Sequence, residues 1–163
     1  MIINGSALQG QTLSATNTLS DADGIGTLSY QWRADGNSIL GATSKNLTLT
    51  EAQVGKAISV IAGYLDLKGN IESVSSASSA LVANLNDAPT GTVSISGVLM
   101  VGQTIVATSA IADLDGLGAI IYRWVADGSL VSISADNSFL LGSTEAGKTI
   151  TVSANYIDGH GTS

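Results

Sequence analysis

The feature that most constrains this sequence is an internal repeat with a period of 92 residues. Gly10-Gln11-Thr12 recurs as Gly102-Gln103-Thr104, and Asp21-Ala22-Asp23-Gly24 recurs as Asp113-Leu114-Asp115-Gly116. No gap is needed from residue 10 to residue 71, and 23 of these 62 positions are identical between the copies. A repeat of this length is long enough to fold by itself, so the sequence predicts two copies of one domain.

The aromatic residues support this interpretation. Six of the seven fall into three pairs with the same spacing, Tyr30/Tyr122, Trp32/Trp124 and Tyr64/Tyr156. Large rings dominate the energetics of a core, so matched rings predict two copies of one core. We expect the first domain over residues 1–87 and the second over residues 88–163.

Period-two alternation predicts that both domains are all-β. In the first copy Ile58, Val60, Ala62 and Tyr64 alternate with smaller or polar residues, and glycine-containing turn sequences separate such segments. Strands are predicted near residues 2–5, 11–18, 28–34, 38–41, 46–50, 57–65 and 72–84, in the order of an immunoglobulin-like Greek-key β-sandwich.

Composition and charge exclude several classes of function. The net charge is −7, with 13 acidic against 6 basic residues, which disfavours nucleic-acid binding. There is no cysteine to form a disulfide or a thiolate metal site, and no apolar run long enough to span a bilayer. His160 is the only histidine and there is no Gly-x-Ser-x-Gly motif, so we expect no enzyme activity.

The ordered set of motifs resembles the immunoglobulin-like and cadherin-like tandem repeats of large bacterial surface adhesins and RTX-type exoproteins. The motifs are Val101-Gly102-Gln103-Thr104, the Asp-x-Asp-Gly turn at Asp21, Tyr30-x-Trp32, Val54-Gly55-Lys56, Tyr64-x-Asp66 and Asn86-Asp87-Ala88-Pro89-Thr90-Gly91. The resemblance implies secretion, an extended array at the bacterial cell surface, a role in adhesion or biofilm attachment, and Ca²⁺ bound where consecutive domains join.

A calcium site is expected at that junction, because the loops after the second and sixth strands of such a sandwich lie where the chain enters. Oxygen ligands from carboxylates suit Ca²⁺. The expected junction ligands are Asn86, Asp87, Asp113, Asp115, Asp158 and Glu51, and Asp21, Asp23 and Asp66 form an expected half-site in the first copy. Asp-x-Asp-Gly is also ordinary turn chemistry, and that alternative stays open. An EF-hand is disfavoured because Trp32 occupies the position of the bidentate glutamate.

The second copy has no counterpart of residues 72–84, because Ser163 corresponds to Ile71. We therefore expect the chain to belong to a longer tandem array, and the second domain to lack its last strand. An unpaired strand edge can template pairing with other chains. We expect the second copy to be less stable than the first or to borrow a strand from a neighbour.

Taken together, these features predict a structural and adhesive spacer that projects a binding module and is stiffened by calcium. Its partners are expected to be neighbouring repeats of the same chain and a host or matrix surface, with neither nucleic acid nor membrane. Two alternatives stay open. One is a module that itself binds a glycan or a protein, and the other is an accessory module of a secreted enzyme.

Overall fold

The computed structural model describes all residues 1–163 and confirms an all-β, sandwich-like fold. Thirteen strands are accompanied by two short 3-10 helices, Glu51–Gln53 and Ser143–Glu145. The chain forms two compact units, Met1–Leu85 (unit 1) and Asn86–Ser163 (unit 2). No helix has both the length and the apolar character that a membrane crossing requires.

Unit 1 contains two antiparallel sheets. Its strands are β1 (Ile2–Asn4), β2 (Thr12–Thr16), β3 (Ser29–Ala34), β4 (Asn37–Ser38), β5 (Asn46–Thr48), β6 (Ile58–Leu65) and β7 (Ile71–Ser75). One sheet has the order β1-β2-β5 and the other β4-β3-β6-β7. The alternation along β6 explains this packing, because one face of the strand is buried and the other is not.

The core of unit 1 lies between these sheets and is centred on Trp32. Leu13 on β2 and Leu47 on β5 come from one sheet, while Trp32 on β3 and Val60 on β6 come from the other. The Trp32 side chain is fully buried, and its indole N–H donates to the carbonyl oxygen of Ser44 at 2.9 Å. This bond satisfies the polar atom of the ring, as burial requires.

Unit 2 repeats the arrangement with fewer strands. They are β8 (Val93–Ser96), β9 (Thr104–Ser109), β10 (Ile121–Ala126), β11 (Ser129–Ser134), β12 (Ser138–Leu140) and β13 (Ile150–Asn155). The sheets have the orders β8-β9-β12 and β11-β10-β13. Trp124 pairs with Val152 just as Trp32 pairs with Val60, so the register of the central strands is the same in both units.

The surroundings of the second tryptophan differ in two respects. Trp124 is fully buried and stacks on Phe139, with ring centroids 5.6 Å apart, where the first copy has Leu47. Its indole nitrogen has no hydrogen-bond partner. A buried N–H without an acceptor is costly, so the second core carries a penalty that the first does not.

The segment after the third strand also differs between the two units. Gly41 has a φ of +76° and lies in the irregular segment that follows β4 and carries Ser44 to the Trp32 ring. Its counterpart is Ile133, a β-branched residue within β11, which has six residues where β4 has two. The counterpart of Ser44 is Asp136, which lies in the bend after β11, and the Trp124 indole nitrogen has no acceptor there.

The last part of unit 1 also differs from the sequence prediction of one strand over residues 72–84. Strand β7 ends at Ser75, and residues 76–83 continue along the edge of unit 1 through single bridges. The hydroxyl oxygens of Ser76 and Ser79 accept the backbone amides of Val60 and Ile58. Because serine side chains occupy these amides, the regular ladder is interrupted.

Candidate functional site

Two loops of unit 2 come together where β9 and β13 end. The backbone amide of Gly159, in the loop after β13, donates to the carbonyl oxygen of Asp115 in the loop after β9, at 2.9 Å. Unit 1 has the same bond between Leu67 and Asp23, at 3.2 Å. The Asp-x-Asp-Gly sequence thus forms a turn, and the carbonyl oxygen of its second aspartate accepts a hydrogen bond from the neighbouring loop in both units. We call the unit 2 residues Asn86, Asp87, Asp113, Asp115, Asp158 and His160 the acidic loop cluster.

Both carboxylate oxygens of Asp113 accept hydrogen bonds inside this cluster. One carboxylate oxygen accepts the backbone amide of Asp115 at 2.9 Å, and the other accepts the hydroxyl of Tyr156 at 2.5 Å. The bond to Asp113 stabilises the neutral phenol and raises the pKa of Tyr156 to about 12. Asp113 therefore ties the loop to the strand and orients its neighbours.

Asp158 holds the second loop together. Its Oδ1 atom accepts the backbone amides of His160 and Thr162, both at 2.8 Å, and the side chain is buried. These amide bonds, that of Thr162 foremost, lower the pKa of Asp158, because they favour the charged carboxylate. The aspartate is consequently negative throughout the neutral range.

Asp115 is the residue whose environment turn chemistry does not explain. Its side chain is only 3% exposed, and its Oδ2 atom accepts the backbone amide of Asp87 at 2.6 Å. The other oxygen, Oδ1, is buried without a hydrogen-bond partner. A ring nitrogen of His160 lies within 4.8 Å of this carboxylate. A buried carboxylate with an unfilled oxygen is costly unless a cation or a proton compensates it.

The segment that begins unit 2 lies against the same loops. Asn86, Asp87, Asp113 and Asp158 contribute to the lining of a cavity of about 170 Å³. Asp115 is connected to this cavity through its bond with Asp87. Five of the six expected junction ligands therefore lie together in unit 2, and Glu51 lies in unit 1, where it begins the 3-10 helix.

The expected half-site of unit 1 is occupied by its own hydrogen bonds. Asp21 accepts the amide of Asp23 at 2.9 Å and the hydroxyl of Tyr64 at 2.8 Å. Asp66 accepts the side-chain amide of Asn70 and the backbone amides of Asn70 and Lys68, each at 2.8 Å, and these bonds, that of the Asn70 side chain foremost, lower its pKa. Asp23, the counterpart of the buried Asp115, is exposed. Turn chemistry accounts for the bonds of Asp21 and Asp66.

Sequence reasoning missed three contributions to these loops. Tyr64 and Tyr156 were expected to pack in the core, but their hydroxyls bind Asp21 and Asp113. His160 was set aside, although its ring lies beside Asp115. The signal for the tyrosines was available, because each Tyr–Asp pair recurs at the period of 92 residues.

A second glycine in the motif is required by close approach of the backbone. A Cβ atom placed on Gly26 would lie 2.2 Å from the carbonyl oxygen of Leu65, and one on Gly118 would lie 2.1 Å from that of Ile157. No side chain fits at these distances. The motif is therefore Asp-x-Asp-Gly-x-Gly, with its last glycine packed against the sixth strand of the unit or the chain that follows it.

Comparisons with known proteins assign no function to these loops. No family model matches the sequence, and no curated protein matches it either. Among solved structures, the fibronectin(III)-like modules of CbhA from Clostridium thermocellum align with a TM-score of 0.34 and 18% identity. That alignment covers 99% of this chain and 90% of the other. The strands and sheets described above define the chain as an all-β protein with sandwich-like units.

Proposed function

We propose that this chain is a pair of immunoglobulin-like repeats from a large secreted bacterial surface protein. They act as a spacer that projects a binding module carried elsewhere. The supporting observation is that one scaffold is built twice, with Trp32 and Trp124 both fully buried and paired with Val60 and Val152 in the same register. Repetition of a scaffold suits a role in length and stiffness.

The chemistry of the loops fits a role that is not enzymatic. Asp21, Asp66 and Asp113 hold backbone amides and tyrosine hydroxyls of their own units. The single histidine, His160, has Lys68 as its counterpart in the first copy, so no imidazole chemistry is shared by the repeats. Adhesion and biofilm attachment would then reside in other parts of the surface protein.

The acidic loop cluster of unit 2 is proposed to bind one Ca²⁺ ion. Asp115 would be its central ligand, since its Oδ1 atom is buried and lacks a hydrogen-bond partner. Asp87 and Asp158, together with carbonyl oxygens, supply the hard oxygen ligands that Ca²⁺ prefers. Asp113 would act mainly by positioning, because Tyr156 and the Asp115 amide already occupy its oxygens.

Binding would connect the two loops to the segment that begins unit 2. Asp87 already donates its amide to Asp115, so an ion held by Asp115 would fix residues 84–91 against the loops. Ordering of this segment by a divalent ion would turn a flexible connection into a stiff one. Calcium would thus control how far the repeats extend.

Isothermal titration calorimetry with Ca²⁺ tests the site. The wild-type chain is expected to bind one ion, and Asp115→Asn is expected to abolish binding. The matched control is Asp23→Asn, which changes the equivalent exposed residue of unit 1 and should leave binding intact. Absence of binding in the wild type, or equal loss in both variants, would contradict the calcium proposal.

Small-angle scattering tests the stiffening, and a glycan array tests the spacer role. We expect a larger and better defined maximum dimension with Ca²⁺ than with EDTA. Equal dimensions and equal radii of gyration in both conditions would rule out stiffening by the ion. Specific binding of a glycan by this chain alone would favour a direct adhesin module over a spacer.

A further inference from the structure

One edge of unit 2 is a long strand without a charged residue. Strand β11 has six residues, Ser129–Ser134, and pairs along one side only, with β10. Residues 135–163 follow this strand in the chain, and none of them forms a backbone hydrogen bond with its other side. An edge strand with open N–H and C=O groups is a template for pairing with a further strand.

Unit 1 has no such edge at the equivalent place. Strand β4 has only two residues, and the chain after it turns back on itself. In that turn the amide of Ala42 donates to the carbonyl oxygen of Ile39 at 3.1 Å, and Gly41 has a φ of +76°. The long open edge is therefore a property of the second unit and not of the scaffold that the two units share.

The outer face of the sheet beside this edge is aliphatic. The register of β10 with β11 places Val125 opposite Leu130 and Arg123 opposite Ile133. Leu130 and Ile133 therefore share the outer face, although a bulge separates them by three positions along the strand. Their side chains are 46% and 60% exposed. Ile121, which begins β10, lies on the same face and is also exposed.

The aliphatic character of this face is confined to unit 2. Four aliphatic positions of the outer face correspond in unit 1 to polar residues or to glycine. The positions are Ile121, Val125, Leu130 and Ile133, and their counterparts are Ser29, Arg33, Ser38 and Gly41. Exposed apolar residues that lie together on a surface mark a site of interaction. We call strand β11 and these four aliphatic residues the edge patch of unit 2.

We propose that the edge patch binds the edge patch of a second copy of this chain. The two β11 strands pair in antiparallel orientation and join two three-stranded sheets into one continuous sheet. Binding of this kind is strand addition, in which main-chain hydrogen bonds supply the affinity. The pair has two-fold symmetry, so each chain fills the open edge of the other and the assembly closes as a dimer.

The composition of the strand favours a second copy as the partner. Strand β11 contains no Asp, Glu, Lys or Arg, so antiparallel pairing of two identical strands places no like charges opposite each other within them. Leu130 and Ile133 of the two copies then form one aliphatic surface across the joint. The same self-complementary surface is offered by every copy, and no further component is needed.

The size of the patch predicts a weak and reversible dimer. Each chain contributes one strand of six residues and four aliphatic side chains. An interface of this size lies below the roughly 1,200 Å² that stable complexes bury, in the range of transient contacts. The dimer should therefore form as the protein concentration rises. It would connect two chains side by side through their second units, which a spacer of fixed length does not require.

Sedimentation velocity at increasing concentration tests the association. The wild-type chain should shift from monomer to dimer. Ile133→Lys should weaken self-association at least about tenfold, because a lysine on an edge strand opposes pairing. The matched control is Leu40→Lys, which makes the same change at a fully exposed residue of unit 1 and should leave the dimer intact. A wild-type chain that stays monomeric, or equal weakening by both substitutions, would overturn the proposal.

Two properties of Ile133→Lys make its result specific. The side chain is 60% exposed, so the core around Trp124 should keep its native tryptophan fluorescence. The added lysine also reduces the net charge from −7 to −6, which lowers the general repulsion between chains. Loss of the dimer therefore cannot come from net charge. Unchanged dimerisation of this variant with a native core would contradict pairing through β11.

Hydrogen exchange at low and high protein concentration locates the interface. Amides of β11 should exchange more slowly in the dimer, whereas those of β4 and β13 should be unaffected. Strand β13 forms the opposite edge of the same sheet and is therefore the most direct internal comparison. Protection of β13 in place of β11 would overturn the assignment of the edge patch.

Discussion

Replacing each tryptophan by phenylalanine gives a matched pair of perturbations with different expected costs. Both substitutions remove the same part of a fully buried ring, so the cavity contribution to the free energy of unfolding is common to them. Trp32→Phe also removes the bond from the indole N–H to Ser44. Trp124→Phe instead removes an N–H that has no partner.

The difference between the two costs follows from the hydrogen bonds. Loss of the Ser44 bond should destabilise unit 1 by about 1 kcal/mol. Removal of the unsatisfied buried N–H of Trp124 should stabilise unit 2 by about 1 kcal/mol or more, which offsets part of the cavity cost. Trp32→Phe should therefore cost about 2 kcal/mol more than Trp124→Phe. That corresponds to a difference of about 30-fold in an unfolding equilibrium constant.

Native-state hydrogen exchange on the whole chain measures each unit separately. Amides of β3 and β6 report on unit 1, and amides of β10 and β13 report on unit 2. The protection lost by β3 and β6 in Trp32→Phe should exceed the protection lost by β10 and β13 in Trp124→Phe. Equal losses, or a larger loss in unit 2, would refute the role assigned to Ser44 and to the unpaired indole nitrogen.

Three further outcomes are expected. The pKa of Tyr156 is raised from 10.0 to about 12 by its bond to Asp113. The bond therefore makes its full contribution to the free energy of unfolding below pH 10, and this contribution is lost as pH rises through 12. Urea unfolding between these values should show that loss in the wild type and not in Tyr156→Phe. The pKa of Asp66 is lowered from 3.8, so its contribution holds above that pH and disappears as pH falls through the lower value. Asp66→Asn keeps an acceptor oxygen but cannot titrate, so the free energy of unfolding of this variant should decrease less at acid pH than that of the wild type. An equal decrease in both proteins would argue against this role of Asp66. Unit 2 should exchange faster than unit 1 at neutral pH, because its core contains a buried indole N–H without an acceptor, and slower exchange in β13 than in β6 would contradict this.

The repeat and the alternation carried enough information to predict strands and a tryptophan-centred core. Trp32 and Val60 lie two residues from other apolar positions on their strands, and such local periodicity fixes which face is buried. The acidic residues of unit 2 were also predicted to lie together, since the loops after the second and sixth strands of such a sandwich lie at the end where the chain enters. These inferences depend only on the spacing of residues along the chain, which can be read directly from the sequence.

The sequence did not predict which partner each polar side chain would have. Asp113 and Asp115 have the same turn context, yet one is saturated by Tyr156 and the other retains a buried unpaired oxygen. The second copy has Ile133 within β11 where the first has Gly41 after β4, and the Trp124 nitrogen has no carbonyl acceptor. Such outcomes are set by contacts between distant residues, which local patterns do not specify.

The central claim is that the chain is one mechanical scaffold made twice. Pulling the chain from its two ends in a single-molecule force experiment tests this most directly. Two separate unfolding events are expected, one for Met1–Leu85 and one for Asn86–Ser163, each releasing up to about 300 Å of extended chain. A single event that releases both lengths together, or extension without any resisting step, would contradict the account.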